Sequence, residues 1–365
     1  MKLRKVIISG GGTGGHIFPA LAIADELRRR HPDVDILFVG AVGRMEMEKV
    51  PQHGYPIEGL HISGLSRSLS LKNLSFPFKV IRSLIKAGEI IDRFQPDVAI
   101  GVGGYASGPL LYMAQKRNIP TLIQEQNSFP GITNKILGKR VSTICVAYSG
   151  LQKFFPANKL VLTGNPVRDA IKNNATTREE ALEALGLDPE KPTILFVGGS
   201  LGARSINQAV HNGYQRILDA GGQIIWQTGK LFYSQHELEL KNLASQLMIQ
   251  PFIREMDQAY AAADVVVSRA GAVAITELCT VGKPSILVPS PYVSEDHQTK
   301  NAMSLVNSQA ALIVKEENCA DQLVQTAIEL LGNRGKRLEL AGKIAALARP
   351  NATEEIVDQI EKLVK

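Results

Sequence analysis

The amino-acid sequence predicts an α/β protein built from two doubly wound, parallel-sheet domains. The chain has 365 residues, more than a single hydrophobic core usually organises. Short apolar runs alternate with helix-like segments, which is typical of parallel sheets covered by helices. A strand followed by a glycine-rich turn and a helix occurs once in each half of the chain, which indicates two similar domains.

The first glycine-rich turn occupies residues 10–16 and reads Gly-Gly-Gly-Thr-Gly-Gly-His. It follows the apolar run 6–8 and precedes an amphipathic segment, 18–27, so a strand, a turn and a helix start are predicted. Glycine allows close approach of a ligand, and N–H groups at a helix N-terminus favour phosphate. The turn therefore predicts a phosphate-bearing ligand. A second turn, Gly-Gly-Ser-Leu-Gly-Ala at 198–203, follows the apolar run 193–197 and repeats the pattern.

The remaining elements divide the chain near residue 165. Further strands are predicted at 34–39, 55–62, 97–101, 120–124 and 143–146, then at 223–226, 248–253, 264–268, 285–289 and 311–314. We place the hinge near 165–167, so the first domain covers 1–165 and the second covers 166–350. A final helix, 352–363, follows Pro350, and segment 351–365 is assigned to the first domain.

The composition is that of an ordinary globular protein, with 44% hydrophobic and 21% charged residues. Apolar runs fall short of the roughly 18 residues of a membrane span, and the run at 6–8 is too short for a signal-peptide core. A cytoplasmic location is expected. The three cysteines are widely spaced without a C-x-x-C pattern, which predicts buried thiols rather than disulfides or a zinc site.

Two common classes of phosphate ligand fit these turns poorly. Gly10, Gly12 and Gly15 match the dinucleotide pattern G-x-G-x-x-G, but the second strand ends without the acid that binds a nicotinamide ribose. Neither turn contains the lysine of a nucleotide-hydrolysing loop. The sequence instead favours ligands at the carboxyl ends of both sheets, in a cleft between the domains.

Seven stretches, in order along the chain, resemble the MurG family of glycosyltransferases. They are GGTGGH at 11–16, GGYASGP at 103–109, EQN at 125–127, GNPVR at 164–168, GGSLGAR at 198–204, GA at 271–272 with Glu277, and DHQ at 296–298 with NA at 301–302. The resemblance implies the GT-B fold, in which two Rossmann-like domains face a cleft. The chain departs from the family pattern at Gln124, where the family commonly has His, and at Ala270 and Ala274, where Ser and Thr are common.

The resemblance implies an inverting glycosyltransferase of peptidoglycan synthesis, peripheral on the cytoplasmic side of the cell membrane. Such an enzyme moves N-acetylglucosamine from UDP-N-acetylglucosamine (UDP-GlcNAc) to the 4-hydroxyl of undecaprenyl-pyrophosphoryl-MurNAc-pentapeptide, converting lipid I to lipid II. Two alternatives stay open: another GT-B transferase with a different sugar or glycolipid acceptor, and a nucleotide-sugar-binding protein without turnover. No cofactor or nucleic-acid partner is predicted, and divalent-cation dependence is left open.

The resemblance also implies which residues bind the donor in the second domain. Ser200 and the amides of residues 199–203 would hold the diphosphate, and the backbone of Ile253 would contact the uracil edge. Glu277, predicted in the first turn of a helix, would accept the ribose hydroxyls, although the helix dipole alone favours an acid there. The other substrate-binding candidates are Thr13, Gly14, Gly15, Asn127, Arg168, Ala272 and Gln298, and the acceptor-side candidates are Gly12, Gly104, Tyr105 and Ser107.

His16 is the candidate catalytic base. The acceptor hydroxyl must lose a proton as it attacks the anomeric carbon, and a helix N-terminus lowers the pKa of an imidazole, which favours the neutral form that a base requires. The alternative is a histidine that only caps the helix. Asp33 and Asp35 match the metal-binding D-x-D pattern of other glycosyltransferases but stand at the start of a strand, the wrong end for a ligand, so no metal site is predicted.

Residues 59–88 contain no acidic side chain, and within them residues 71–86 are expected to contact an anionic membrane surface. Four apolar residues at helical spacing, Val80, Ile81, Leu84 and Ile85, are expected to face the core instead. The segment mixes apolar and basic side chains, namely Leu69, Leu71, Leu74, Phe76 and Phe78 with Arg67, Lys72, Lys79, Arg82 and Lys86.

Overall fold

The computed structural model of the chain describes residues 3–62, 76–243 and 247–364. The chain divides into two compact units. Unit 1 contains Met1–Arg168 and Arg349–Lys365, and unit 2 contains Asp169–Ala348. Each unit has its own parallel sheet and its own hydrophobic core.

The strands of unit 1 are β1 (Lys5–Gly10), β2 (Asp35–Ala41), β3 (Ile57–Leu60), β4 (Val98–Gly103), β5 (Thr121–Glu125), β6 (Thr143–Val146) and β7 (Leu160–Leu162). In the described residues they form one parallel sheet in the order β3-β2-β1-β4-β5-β6-β7. Its helices are α1 (Gly14–Arg30), α2 (Glu46–Gln52), α3 (Phe76–Phe94), α4 (Ser107–Lys116), α5 (Ile132–Leu137) and the C-terminal helix (Ala352–Leu363).

Helices cover both faces of the unit 1 sheet, so its strands are apolar on both sides. Along β1, Val6 and Ile8 belong to the core beneath α1 and the C-terminal helix, whereas Ile7 belongs to the core beneath α3, α4 and α5. The C-terminal helix packs against α1, where His31 Nε2 lies 2.9 Å from Glu361 Oε1. Since β1 and β4 are neighbours in the sheet, the two loops that follow them lie side by side.

The strands of unit 2 are β8 (Thr193–Val197), β9 (Gln223–Gln227), β10 (Met248–Gln250), β11 (Val265–Ser268), β12 (Ser285–Leu287) and β13 (Leu312–Ile313), paired in parallel in the order β10-β9-β8-β11-β12-β13. Its helices are α6 (Asp169–Lys172), α7 (Arg178–Ala184), α8 (Arg204–Asp219), α9 (Lys230–Gln235), α10 (Glu237–Leu243), α11 (Met256–Ala262), α12 (Ala272–Val281), α13 (His297–Asn307), α14 (Val324–Gly332) and α15 (Arg334–Ala345).

Most predicted strands match the observed ones to within two residues at each end, and two larger differences have physical causes. The predicted strands 143–146 and 193–197 coincide with β6 and β8. The sequence predicts no strand at β7, which is an edge strand of three half-buried residues. Strand β10 ends at Gln250 rather than at residue 253, because Pro251 has no N–H with which to continue the ladder.

Helix α3 presents a different face to the core from the one that the sequence indicates. Ser83, Ala87 and Ile90 are buried, whereas Ile81 and Ile85 are 55% and 58% exposed. The expectation that Ile81 and Ile85 face the core is therefore wrong. Small residues form part of the buried stripe, where they allow close packing of α3 on its neighbours, and the adjacent apolar stripe faces outward.

Residues 63–75 and the side chain of Phe76 lie outside the described residues. They include five other side chains expected to contact the membrane, namely Arg67, Leu69, Leu71, Lys72 and Leu74. Over the ranges that are described, none of the helices has both the length and the apolar character needed to cross a bilayer.

Candidate active site

The glycine-rich turn of unit 1 connects β1 to α1 and is held by a buried glutamate. Gly12 adopts a φ of +84°, and its N–H donates to Glu46 Oε2 at 2.7 Å. The other carboxylate oxygen accepts the Ala41 N–H at 3.0 Å, and Glu46 is only 1% exposed. A carboxylate beneath the turn occupies the Gly12 amide and repels a second anion. The Gly12 amide is therefore already engaged within unit 1, which leaves the Gly12 carbonyl as the backbone group that it can offer to a ligand.

His16, the third residue of α1, has a defined tautomer. Its Nδ1 lies 3.0 Å from the Gly11 carbonyl oxygen and 3.3 Å from Thr13 Oγ1. Because a carbonyl oxygen only accepts hydrogen bonds, Nδ1 carries the proton and Nε2 keeps its lone pair. Burial lowers the pKa of His16 from its ordinary value of 6.5, while the Gly11 carbonyl and the Glu46 charge act in the opposite direction. Burial is thus the main cause of the lowered pKa, and the neutral imidazole can accept a proton at Nε2.

The His16 ring packs against the loop that follows β4. Gly103 has a φ of +114°, and a Cβ at this position would lie 2.6 Å from His16 Cδ2 and 2.8 Å from Nε2. A Cβ on Gly104 would lie 2.5 Å from the Gly11 carbonyl oxygen, and the Gly11 N–H donates to the Gly103 carbonyl at 3.2 Å. The two glycines therefore let the two loops pack backbone to backbone and fix the ring. Gly104 is a sequence-predicted site residue, whereas Gly103 is the one that contacts the histidine.

The other two acceptor-side candidates on this loop differ in accessibility. Tyr105 is exposed, and the Arg44 guanidinium lies 5.5 Å from its ring centroid. Ser107 is completely buried, and its hydroxyl has no hydrogen-bond partner. A Cβ added to Gly101 would lie 2.5 Å from Ser107 Oγ, so this side chain packs against β4. Because Ser107 lies beneath the surface of unit 1, we do not retain it among the proposed acceptor contacts.

Asn127 is oriented by the buried carboxylate of Glu125. The backbone N–H of Asn127 donates to Glu125 Oε1 at 3.0 Å, and its Nδ2 donates to the same oxygen at 3.3 Å. Asn134 Nδ2 donates to the other carboxylate oxygen at 2.7 Å. Burial raises the pKa of Glu125, and these donors act against the rise. The sequence-predicted Asn127 is thus positioned by a residue that is not itself among the predicted site residues.

Gln124, one of the departures from the family pattern, belongs to a buried chain of amides. Its Nε2 donates to Asn165 Oδ1 at 2.8 Å, and its Oε1 accepts from Gln126 Nε2. Asn165 Nδ2 in turn donates to the Gln126 carbonyl at 3.1 Å. The glutamine therefore connects the end of β5 to the segment that follows β7.

The glycine-rich turn of unit 2 joins β8 to α8. Gly199 and Gly202 adopt φ values of +84° and +80°, and Ser200 is exposed between them. Gln227, the last residue of β9, donates from Nε2 to the Gly199 carbonyl at 2.9 Å and accepts the Ile253 N–H at Oε1, also at 2.9 Å. One buried amide therefore connects the turn to Ile253. Sequence reasoning missed Gln227, whose only signal is its place at the end of a strand next to β8.

Glu277 lies in the second turn of α12, not in the first, because the helix begins at Ala272. Its side chain is buried, with the residue 4% exposed, and Oε2 accepts from the Tyr260 hydroxyl at 3.2 Å. The effect of a helix dipole fades beyond the first turn. The dipole therefore does not account for an acid at this position, and a ligand-binding role for Glu277 is favoured instead.

The remaining candidates are placed as follows. Gln298, near the start of α13, accepts the Ser290 N–H at its Oε1 at 2.9 Å, so the Nε2 group is the side-chain donor that it offers to a ligand. Ala272 is buried at the start of α12. Thr13 is exposed. Gly14, Gly15 and Arg168 are half-buried.

Comparison with known protein families covers both units. The glycosyltransferase family 28 N-terminal domain matches residues 6–146, and the glycosyltransferase family 28 C-terminal domain matches residues 193–359. These two ranges hold the glycine-rich turns of unit 1 and unit 2, respectively.

Full-length relatives carry one common name. Proteins of Cytophaga hutchinsonii and Christiangramia forsetii are 54% and 52% identical to this chain, over 99% of it and 97% and 98% of their own lengths. Both are called UDP-N-acetylglucosamine–N-acetylmuramyl-(pentapeptide) pyrophosphoryl-undecaprenol N-acetylglucosamine transferase. The crystal structure of Acinetobacter baumannii MurG matches with a TM-score of 0.79 and 31% identity, over 98% of this chain and 99% of that one. This chain therefore has the predicted GT-B fold and belongs to the MurG family of N-acetylglucosamine transferases, within glycosyltransferase family 28.

Proposed function

We propose that this chain transfers N-acetylglucosamine from UDP-GlcNAc to the 4-hydroxyl of undecaprenyl-pyrophosphoryl-MurNAc-pentapeptide, with inversion at the anomeric carbon. The observation that carries the proposal is the match of nearly the whole chain to relatives named for this transfer. The tautomer of His16 supports it, since a neutral imidazole with an available Nε2 is the base that such a transfer needs. We assign the acceptor to unit 1 and the donor to unit 2.

In this reaction the acceptor 4-oxygen forms a bond to the anomeric carbon while the bond from that carbon to the UDP oxygen breaks. His16 Nε2 takes the proton of the hydroxyl, and UDP leaves as the anion. Nδ1 stays bonded to the Gly11 carbonyl, which holds the ring in the reactive tautomer and stabilises the imidazolium that forms. Tyr105 and the backbone of Gly104 and Gly12 are the proposed acceptor contacts.

The donor contacts are proposed on the carboxyl side of the unit 2 sheet. The turn containing Ser200 precedes α8, where the helix dipole stabilises the charge of the departing diphosphate. Glu277 accepts the ribose hydroxyls. Because the Ile253 N–H already donates to Gln227, the Ile253 carbonyl is the group proposed for the uracil N3–H. Gln298 Nε2 is proposed to donate to a sugar hydroxyl. Ala272 is the remaining contact proposed in unit 2. Thr13, Gly14, Gly15, Asn127 and Arg168 are substrate-binding residues proposed in unit 1.

The proposal predicts UDP release that requires the complete acceptor. Purified chain is incubated with UDP-GlcNAc, and UDP is measured with a lipid-linked MurNAc-pentapeptide, with a lipid diphosphate lacking the muramyl sugar, and with no acceptor. Release only with the first acceptor, together with a product carrying one added N-acetylhexosamine, is the expected result. Release with the lipid diphosphate that lacks the muramyl sugar would indicate another GT-B transferase, and donor binding without release would indicate a binding protein.

The membrane contact is proposed on the surface of unit 1 formed by α3, α4 and α5. These helices cover the same face of the sheet. On α3, Phe78 is 72% exposed, and it is accompanied by exposed Ile81 and Ile85 and by the basic residues Lys79, Arg82 and Lys86. On α5, Ile132 and Ile136 are exposed beside Lys135. Apolar side chains among basic ones favour an anionic bilayer surface, so we propose a peripheral protein on the cytoplasmic side of the membrane.

Replacing Phe78, Ile81 and Ile85 together by serine is expected to weaken binding to anionic vesicles roughly 10-fold or more, because three apolar side chains no longer enter the interface. Sedimentation with vesicles at low and high salt measures this. The triple variant should be less active than the unaltered chain on the lipid-linked acceptor in vesicles. Its activity on a short-chain, water-soluble acceptor should be unchanged.

The matched control is Leu338→Ser, which removes an exposed leucine from α15 of unit 2. It should leave vesicle binding unchanged. Vesicle binding that is insensitive to the triple change and to salt, or equal loss on both acceptors, would place the membrane contact elsewhere.

A further inference from the structure

Unit 2 contains a cluster of metal-ligand side chains that plays no part in the proposed transfer. His211 lies in the middle of α8, His236 follows α9, and Glu239 lies in the first turn of α10. One ligand atom of each side chain falls within 4.8 Å of the other two. Among the described residues, this is the group of three that meets this distance. The cluster therefore brings two imidazoles and one carboxylate to one point.

The ligand atoms are close without satisfying one another. His211 Nε2 lies 2.9 Å from Glu239 Oε1, yet the nitrogen is buried and has no partner in hydrogen-bonding geometry. His236 Nδ1 lies 3.8 Å from Glu239 Oε2. A buried nitrogen without a hydrogen bond is costly, so an additional partner would stabilise the cluster. A metal ion at this point would supply that partner.

We infer that His211, His236 and Glu239 form a Zn²⁺ site with one position open to water. Two imidazoles and a carboxylate are a recurrent zinc ligand set, and ligand atoms in a tetrahedral zinc site stand about 3.3 Å apart. This spacing lies between the 2.9 Å and 3.8 Å that separate the two imidazole nitrogens from the oxygens of Glu239. Glu239 is half exposed, so water can complete the coordination. The sequence-based expectation of no metal site rested on the cysteine spacing and the D-x-D pattern. It did not consider His211 and His236, which are 25 residues apart in the chain.

Aromatic packing already orients both rings. Phe232 stacks on His236 with centroids 4.4 Å apart, and its ring meets His211 edge to face at 6.0 Å. Such an apolar shell limits solvent access and fixes the ligand rings. The site would therefore need only small side-chain movements to close around a cation.

The position of the site gives the metal a structural role. Helix α8 begins at the glycine-rich turn of unit 2, and α9 begins after Gly229, where a Cβ would lie 2.3 Å from the Leu201 carbonyl of that same turn. Zinc at the cluster would fasten α8 to the α9–α10 segment, the two elements that flank the turn. The inference does not depend on the proposed reaction, since the ligands lie outside the proposed donor contacts.

The test uses the purified full-length chain after chelator treatment. Co²⁺ is titrated first, because a tetrahedral site with nitrogen and oxygen ligands gives intense visible absorption, and Zn²⁺ is then added as competitor. We expect saturable one-to-one binding, displacement by Zn²⁺ and a rise of a few degrees in unfolding temperature with Zn²⁺. His211→Asn, His236→Gln and Glu239→Gln should each weaken Zn²⁺ binding about 10-fold or more, since even changes outside the ligand set cost that much.

The matched control is His31→Asn. His31 also lies 2.9 Å from a glutamate, Glu361, but is not part of a three-ligand group in the described residues. It should leave Zn²⁺ binding unchanged. No saturable binding by the unaltered chain, or equal affinity in the three ligand variants, would overturn the site. Among the three ligand variants, Glu239→Gln changes an exposed side chain and should not disturb folding. Its Zn²⁺ affinity therefore tests the site even if a histidine variant fails to fold.

Discussion

Replacement of His16 by alanine is expected to lower turnover by about 10²–10⁴-fold while leaving the affinity for UDP-GlcNAc unchanged. The imidazole is the proposed base, and its loss leaves the acceptor hydroxyl without a proton acceptor in the transition state. Donor affinity should stay, because the proposed donor contacts belong to unit 2. Turnover at saturating acceptor and calorimetric titration with UDP-GlcNAc measure the two quantities separately.

The pH dependence tests the same assignment. Burial lowers the pKa of His16 below 6.5, so the ring stays neutral at pH 6.5 and becomes protonated only at more acidic pH. Since only the neutral ring accepts a proton, the acidic fall of kcat/KM that belongs to His16 should lie below pH 6.5 and be absent from the residual activity of the alanine variant.

Two further variants provide a control and a test of the position of the His16 ring. His53→Ala removes an exposed histidine that donates to the Lys49 carbonyl at the end of α2, and it should leave turnover unchanged. Gly103→Ala places a Cβ against the His16 ring and should reduce turnover by displacing it. If His16→Ala kept near-normal turnover at saturating acceptor, another group would have to be the base.

The parallel strands were predictable because they are buried on both faces and therefore read as uninterrupted apolar runs. β6 and β8 coincide with the predicted ranges for this reason. β7 lacks the signal, since an edge strand of three half-buried residues has no distinctive pattern. The face of α3 was mispredicted because two adjacent apolar stripes fit the helical period, and only tertiary packing decides which one is buried.

The local motifs located the two glycine-rich turns but not the residues that hold them. Glu46 lies 34 positions after Gly12, and Gln227 lies 28 positions after Gly199, yet each contacts its turn directly. Such contacts are created by strand order and cannot be read from local spacing. Ser107 shows the converse, because a polar residue inside a motif can be buried packing rather than a ligand contact.

Replacement of Glu277 by glutamine is expected to weaken UDP-GlcNAc binding by about 1.5–3 kcal/mol, or about 10–150-fold in Kd. A carboxylate accepts both ribose hydroxyls through charge-assisted hydrogen bonds, whereas a carboxamide offers one neutral acceptor. The substitution preserves volume, and the amide oxygen can still accept from Tyr260. Calorimetry with UDP-GlcNAc measures the loss, and unchanged thermal unfolding shows that the buried position tolerates the amide.

The ligand itself provides the sharper comparison. If Glu277 binds the ribose, then UDP carrying a 2′-deoxyribose has already lost part of that contact, so Glu277→Gln should cost this ligand less than it costs UDP. Tyr260→Phe removes a hydroxyl that donates to the carboxylate but keeps the carboxylate charge, so it should weaken the binding of both ligands equally and only slightly. Equal losses for UDP and its 2′-deoxy analogue in Glu277→Gln would mean that the carboxylate supports α12 through Tyr260 and does not contact the ribose, because a structural defect does not distinguish ligands that differ by one hydroxyl.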